Sequence, residues 1–161
     1  MMIINDKGQS LVEAMLALGV AAIIIGSIAL VVLTTVNNAD YSKTQNLATQ
    51  YAQQALDIVR QQSDSNWSAF SAYVSGTYCL AENSTDLGSP TGGCSTPNIT
   101  SNNNNFIRSV VINTADASCG SGEKVTVSVS WPDSKCTGSN KYCENVTLDS
   151  CFAQIANPPN P

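Results

Sequence analysis

Residues 14–33 read AMLALGVAAIIIGSIALVVL and form a long apolar run without a charge. The run matches the roughly 20 residues that an α-helix needs to cross a hydrocarbon core of about 30 Å. Glu13 stands immediately before the run, and Asp40 is the first charged residue after it. The rest of the chain is too polar to bury such a helix, so this stretch predicts a single membrane-spanning helix.

The composition excludes most enzymatic functions. The 161 residues contain no histidine, which removes Ser-His-Asp and Cys-His catalysis together with histidine-ligated metals. Seven residues are Lys or Arg and twelve are Asp or Glu, so the net charge is -5. Binding of nucleic acid by phosphate neutralisation is therefore not indicated. We expect no enzymatic activity, no cofactor and no metal site.

The residues around the apolar run predict its orientation. A cleaved secretory signal has a shorter apolar core and a small-x-small cleavage site, whereas residues 34–38 read TTVNN. Lys7 and the initiator amine favour a cytoplasmic N-terminus by the positive-inside tendency. The residues after Val36 would then lie outside, where cysteines oxidise.

Glu13 has two interpretations at this stage. A carboxylate in the first turn of a helix is favoured by the helix dipole and can stay at the membrane interface. Alternatively, its charge requires a cationic partner in an apolar assembly, because an unpaired carboxylate costs about 2.5–3.5 kcal/mol near the centre of a membrane helix.

The helix is predicted to continue beyond the membrane. Small or apolar residues recur at spacings of three and four, which places them on one helical face: Ala48, Tyr51, Ala52, Ala55, Ile58 and Val59. No proline or glycine occurs between Ser27 and Gly76. We therefore predict one helix over residues 9–62, with a transmembrane half (9–36) and a half that packs on a sheet (37–62).

Residues 63–105 are predicted to form a long polar loop between the helix and the sheet. They are rich in Asn, Ser and Thr, which is too polar for regular buried structure. Trp67, Phe70 and Tyr73 recur within this loop at helical spacing. We expect these rings to form a small cluster that caps the helix; a ligand-binding aromatic face is the alternative.

A small antiparallel sheet is predicted after the loop, over residues 106–161. Strand patterns occupy residues 106–112, 125–131 and 145–152. The second of these alternates strictly between Val or Trp and Ser or Thr, as a half-buried strand does. The predicted fold class is α+β, with the long N-terminal helix packed on a three-stranded antiparallel meander and a C-terminal tail.

Six cysteines on an exported domain predict three disulfides. Two pairs are local, one inside the polar loop and one inside the loop between the second and third strands. The third pair joins the loop between the first and second strands to the end of the third strand, because both lie at one end of a meander. The predicted pairs are Cys79–Cys94, Cys136–Cys143 and Cys119–Cys151. A cysteine-ligated metal is the alternative, although no Cys-x-x-Cys pair is present.

Residues 7–14, KGQSLVEA, resemble the processing motif of type IV pilins and pseudopilins. In that family a prepilin peptidase cuts after a glycine, the new N-terminus is methylated, and a glutamate stands fifth after the cut. The resemblance implies a leader peptide over residues 1–8, cleavage between Gly8 and Gln9, and an assembly role for Glu13. It also implies that the apolar helix packs with other pilin subunits into a helical filament.

Other features are similar to the minor subunits of the family. Gln9 stands where members usually have N-methylated phenylalanine, and Leu30 stands where many major pilins have a proline. The run KVTVSVSW, residues 124–131, and the order of loop and sheet resemble V-type minor pilins and I-type minor pseudopilins. An N-terminal glutamine can also cyclise to a neutral lactam, so methylation and cyclisation of Gln9 both stay open.

Two functions are compatible with these patterns. The first is a structural subunit of a type IV pilus (fimbrium) or a related secretion filament, with adhesion decided by its loops. Before assembly this subunit crosses the cytoplasmic membrane once with its C-terminal domain outside, and afterwards it lies in an extracellular filament or a periplasmic pseudopilus. The second is a single-pass, membrane-anchored extracellular binding or adhesion domain that does not assemble. This second function gives Glu13 and Gly8 no role.

Overall fold

The computed structural model describes residues 6–101, 104–138 and 140–154, with side chains from residue 11 onward. Residues 1–5 of the predicted leader peptide and the tail beyond Gln154 lie outside the described residues. The chain divides into two compact units, Met1–Lys43 and Thr44–Pro161.

Helix α1 spans Asp6–Ser65, so it begins and ends three residues outside the predicted 9–62. Asn66 follows it and caps a short helix α2, Trp67–Phe70, because its side-chain Oδ1 accepts a hydrogen bond of 3.0 Å from the Ala69 N–H. An asparagine in this position satisfies a free N–H of the new helix and redirects the chain.

The sheet is antiparallel, as predicted, but it has five strands and not three. Its order is β1-β3-β4-β5, and β2 also pairs with β3. The strands are β1 Gly76–Cys79, β2 Ile99–Ser101, β3 Asn104–Asn113, β4 Glu123–Trp131 and β5 Glu144–Phe152. The predicted meander corresponds to β3, β4 and β5, and a 3₁₀ turn at Ala117–Cys119 lies between β3 and β4.

The two additional strands come from the loop that was predicted to be irregular. β1 pairs with the second half of β3, with Tyr78 opposite Val110, and β2 pairs with its first half, with Ile99 opposite Phe106. Strands of four and three residues are too short to show a periodic pattern. They form because the edge of β3 offers unpaired backbone groups that need partners.

The core of the C-terminal unit lies between the second half of α1 and one face of the sheet. Four residues from the predicted helical face are completely buried: Ala48, Ala52, Ala55 and Val59. Val125, Val127 and Val129 of β4 are also completely buried, as their strict alternation predicts. The helix is therefore packed on the sheet, and its alanines keep that contact close.

Arg108 is a completely buried cation in the middle of this core. Its Nε donates to the Leu80 carbonyl at 3.1 Å, and its Nη2 donates to the Ala81 carbonyl. Its Nη1 donates to the Tyr51 carbonyl at 3.1 Å and to Gln54 Oε1 at 2.9 Å. Burial lowers the pKa of Arg108 to about 10, so the side chain is still a cation at neutral pH. One guanidinium thus joins helix, loop and strand.

Asn98 extends the pairing of β3 beyond the end of β2. Its Oδ1 accepts from the Arg108 N–H at 2.8 Å, and its Nδ2 donates to the Arg108 carbonyl at 2.7 Å. The amide side chain therefore takes the place of a neighbouring strand's backbone. This contact fixes the end of the polar loop to the backbone of Arg108 in β3.

We expect Arg108→Met to destabilise the protein by about 3 kcal/mol or more, because one buried and three part-buried hydrogen bonds lose their donor at once. The matched control is Arg60→Met, since Arg60 is exposed on α1 and pairs with nearby, exposed Asp57 at 3.2 Å. The control should change stability by less than about 0.5 kcal/mol. Guanidinium unfolding of the full chain in detergent, followed by tryptophan fluorescence, measures both; equal losses would contradict the assignment.

Candidate functional site

The apolar half of α1 is exposed on every side within the Met1–Lys43 unit. Between Leu11 and Val36 all large apolar side chains keep 53–72% of their surface accessible. They occur around the whole circumference of the helix and not on one stripe. An exposed apolar surface of this extent marks a membrane or assembly contact. Among the described residues, this is the single helix long and apolar enough to cross a membrane.

The hydroxyl groups in and after the apolar run are satisfied inside the helix. Ser27 Oγ donates to the Ile23 carbonyl at 2.7 Å. Thr34 and Thr35 both donate to the Val31 carbonyl, at 2.9 and 2.8 Å. Polar groups that bond within their own helix need no water, so this segment can lie in hydrocarbon.

The predicted processing and assembly residues lie at the start of the same helix. The bond between Gly8 and Gln9 is within the first turn of α1, where the helix has the fewest backbone hydrogen bonds to hold it. Glu13 is one turn further on, and its side chain is exposed. The side chains of residues 8 and 9 lie outside the described ones, so their contacts stay a prediction.

Three disulfides staple the C-terminal unit, and they join the same cysteines as the pairs expected from the meander. They are Cys79–Cys94, Cys119–Cys151 and Cys136–Cys143. The first holds the polar loop to the end of β1, the second closes one end of the sheet, and the third closes the β4–β5 loop. Disulfides are compatible with a domain outside the cell.

The aromatic residues of the loop pack against one another at the end of α1. The Phe70 ring centre lies 5.6 Å from that of Trp67 and 6.1 Å from that of Tyr73. The cluster extends into the sheet, where Phe70 contacts Phe152 at 5.9 Å and Tyr73 contacts Tyr78 at 5.5 Å. A cavity of about 120 Å³ beside it is lined by Gln62, Ser65, Asn66, Ala69, Phe70 and Tyr73. The rings thus connect the helix end to the sheet.

Two charged residues of this domain have roles that the sequence pattern does not reveal. Arg108 and Glu123 are 0% and 6% exposed, although both residue types normally lie at the surface. The burial of Arg108 could have been inferred from the sequence, because Arg108 stands between apolar residues of a predicted strand at an inward position. Glu123 gives none, since it stands at the start of a strand, where a charge is ordinary.

Comparison of the chain with protein-family models, with curated proteins and with solved structures finds no match.

Removing the disulfides one pair at a time should destabilise the domain in the order of the loops that they close. The separations are 32, 15 and 7 residues for Cys119–Cys151, Cys79–Cys94 and Cys136–Cys143. Chain-entropy arguments give losses of about 3.5, 3 and 2.5 kcal/mol respectively. Paired Cys→Ser variants, unfolded in urea without reductant, test the order; the largest loss from the shortest loop would contradict it.

Proposed function

We propose that this protein is a subunit of a type IV pilus or a related secretion filament, and that it enters the filament by its apolar helix. The observation that carries the proposal is the single carboxylate Glu13, fifth after Gly8, at the start of a helix that is apolar on all sides. A plain membrane anchor needs neither the glycine nor the charge. Among the subunit types, a minor pilin or pseudopilin fits best, because Gln9 and Leu30 replace residues typical of major pilins.

The chemistry of assembly follows from cleavage after Gly8. A prepilin peptidase releases the leader and creates a new α-amine at Gln9, one helical turn from Glu13. In a stack of helices, Glu13 of one subunit pairs with the Gln9 amine of its neighbour. The pair offsets the cost of a charge in an apolar surrounding and sets the axial register. A head-to-tail contact that does not close on itself builds a filament.

The surface of the apolar half supports close packing of several helices around each subunit. Gly19 and Gly26 have no atom within 4 Å of the position that a Cβ would take, so each leaves a shallow place on the helix surface. Neighbouring backbones can approach at such places. Before assembly the same surface is covered by lipid of the cytoplasmic membrane, and the disulfide-bonded domain lies outside.

Glu13→Gln tests the proposed pair with the smallest change of shape. We expect normal membrane insertion and normal leader removal, but at least about a tenfold loss of subunit in sheared filaments, the effect of losing roughly 1.4 kcal/mol. Asp40→Asn is the matched control, because it removes a carboxylate beyond the other end of the apolar run. Equal incorporation of Glu13→Gln and wild type would contradict the proposed pair, and the absence of wild-type protein from sheared filaments would leave the anchored, non-assembling domain as the function.

The intact mass of the protein from its native envelope tests processing directly. A mature chain should begin at Gln9 with one added methyl group. Loss of ammonia instead would mean that Gln9 has cyclised to a neutral lactam, which removes the amine that the proposed pair with Glu13 needs. Reduction should add six hydrogens for the three disulfides. Gly8→Leu should leave the leader attached and keep the protein in the membrane. A wild-type chain that still begins at Met1 or Met2 excludes the filament subunit.

A further inference from the structure

Glu123 is a buried carboxyl group with an unsatisfied oxygen. It is the first residue of β4, stands opposite Phe152 of β5, and is 6% exposed. Its Oε2 has no hydrogen-bond partner within the part of the chain that the structure describes. The buried Oε2 of an ionised carboxylate in this position lacks both water and a hydrogen-bond donor, a loss that is smaller for the neutral acid.

Among the residues that the structure describes, no ion pair with Glu123 is found. Tyr78 of β1 interacts with it electrostatically, and a tyrosine can only be neutral or negative. Lys124 pairs with Asp116 at 3.5 Å, and it follows Glu123 directly in the strand, so it points to the opposite face. The buried cation of this domain, Arg108, has its electrostatic interactions with Glu82 and Tyr51.

The helices that complete this core are also without charge on their buried sides. α1 contributes Ala55, Val59 and Ser63 as buried residues, and α2 contributes Phe70. The pKa of Glu123 is accordingly raised, because burial disfavours the charged form of its carboxyl group.

The backbone around Glu123 is held tightly in place. A Cβ on Gly122, the preceding residue, would collide with the Phe152 carbonyl oxygen, so the start of β4 lies tightly against the end of β5. The Cys119–Cys151 disulfide ties the same two segments together, with 5.4 Å between its Cα atoms. To bring its buried Oε2 into water, Glu123 must therefore loosen this end of the sheet from the aromatic cluster, which includes Phe152, the residue opposite it, through the contact with Phe70.

We propose that Glu123 is a proton-operated latch at the end of the sheet that Cys119–Cys151 closes. With its proton, this end packs on the Phe70, Tyr73 and Tyr78 rings. When Glu123 ionises, β4 and β5 separate locally from the rings, while the centre of the sheet and the disulfide stay in place. The latch does not depend on filament assembly, and it makes the exported domain tighter in acid surroundings.

The sign of the effect follows from proton linkage. The folded domain binds the proton of Glu123 more tightly than the unfolded chain does, since burial raises the pKa. The stabilisation is therefore complete below the unfolded pKa and is lost as the pH rises through the folded pKa. If folding raises the pKa of Glu123 by one, the equilibrium for local opening of this end of the sheet changes about tenfold with pH.

Amide hydrogen exchange of the full chain in detergent micelles tests the latch. Protection of the segments 119–125 and 150–154, corrected for intrinsic exchange, should fall severalfold from about pH 5 to about pH 8. Protection around Val110 and Val127, at the centre of the sheet, should change little. Glu123→Gln should keep high protection at both values. Glu144→Gln, the matched change at the start of β5, should behave as wild type.

Two results would overturn the proposal. One is an unchanged pH dependence in Glu123→Gln. The other comes from a carboxyl-carbon NMR titration of wild-type Glu123, which keeps the test decisive even if the variant does not fold. We expect a midpoint above the ordinary glutamate value of 4.5; a midpoint at or below that value means that the folded domain prefers the charged form.

Discussion

The buried guanidinium of Arg108 is the constraint on which the rest of the C-terminal unit depends. A cation away from water must be surrounded by acceptors, and Arg108 finds them on α1 and on the segment after β1. All of these acceptors must be in place together, so the helix, the loop and β3 have one common arrangement. Ala52 and Ala55 contribute to it, because small side chains allow the Tyr51 carbonyl to come within hydrogen-bond distance.

The same helix follows two different physical rules along its length. In the C-terminal unit one narrow face of α1 is buried, and the opposite side carries polar residues such as Gln50 and Asp57. In the Met1–Lys43 unit the helix is apolar all round over residues 14–33, and the large apolar side chains there are exposed. A domain core accounts for the first pattern. The second requires lipid or other helices, which is why we propose this surface as the assembly contact.

The periodic parts of the sequence predict their structure well, and the short parts do not. Strict alternation identifies β4, and the helical stripe identifies the buried face of α1. β3 alternates imperfectly in the sequence because Arg108 is a polar residue at an inward position and Ile107 and Val111 are apolar residues on the other face. β1 and β2 escape prediction, since three or four residues form a strand only where a partner edge already exists. Gly8 and Glu13 are visible as a motif, whereas their partners would belong to other molecules.

By itself, the sequence determined that this chain has one apolar helix able to span a membrane, an α+β domain behind it and cysteines that suit an oxidising compartment. These properties follow from local spacing and composition, which the chain carries at every point. Only the tertiary structure decided that Arg108 and Glu123 are buried, the one surrounded by acceptors and the other with an oxygen left unsatisfied. Burial is decided by residues distant in the sequence, so a buried charged residue has different consequences according to which groups the fold brings beside it.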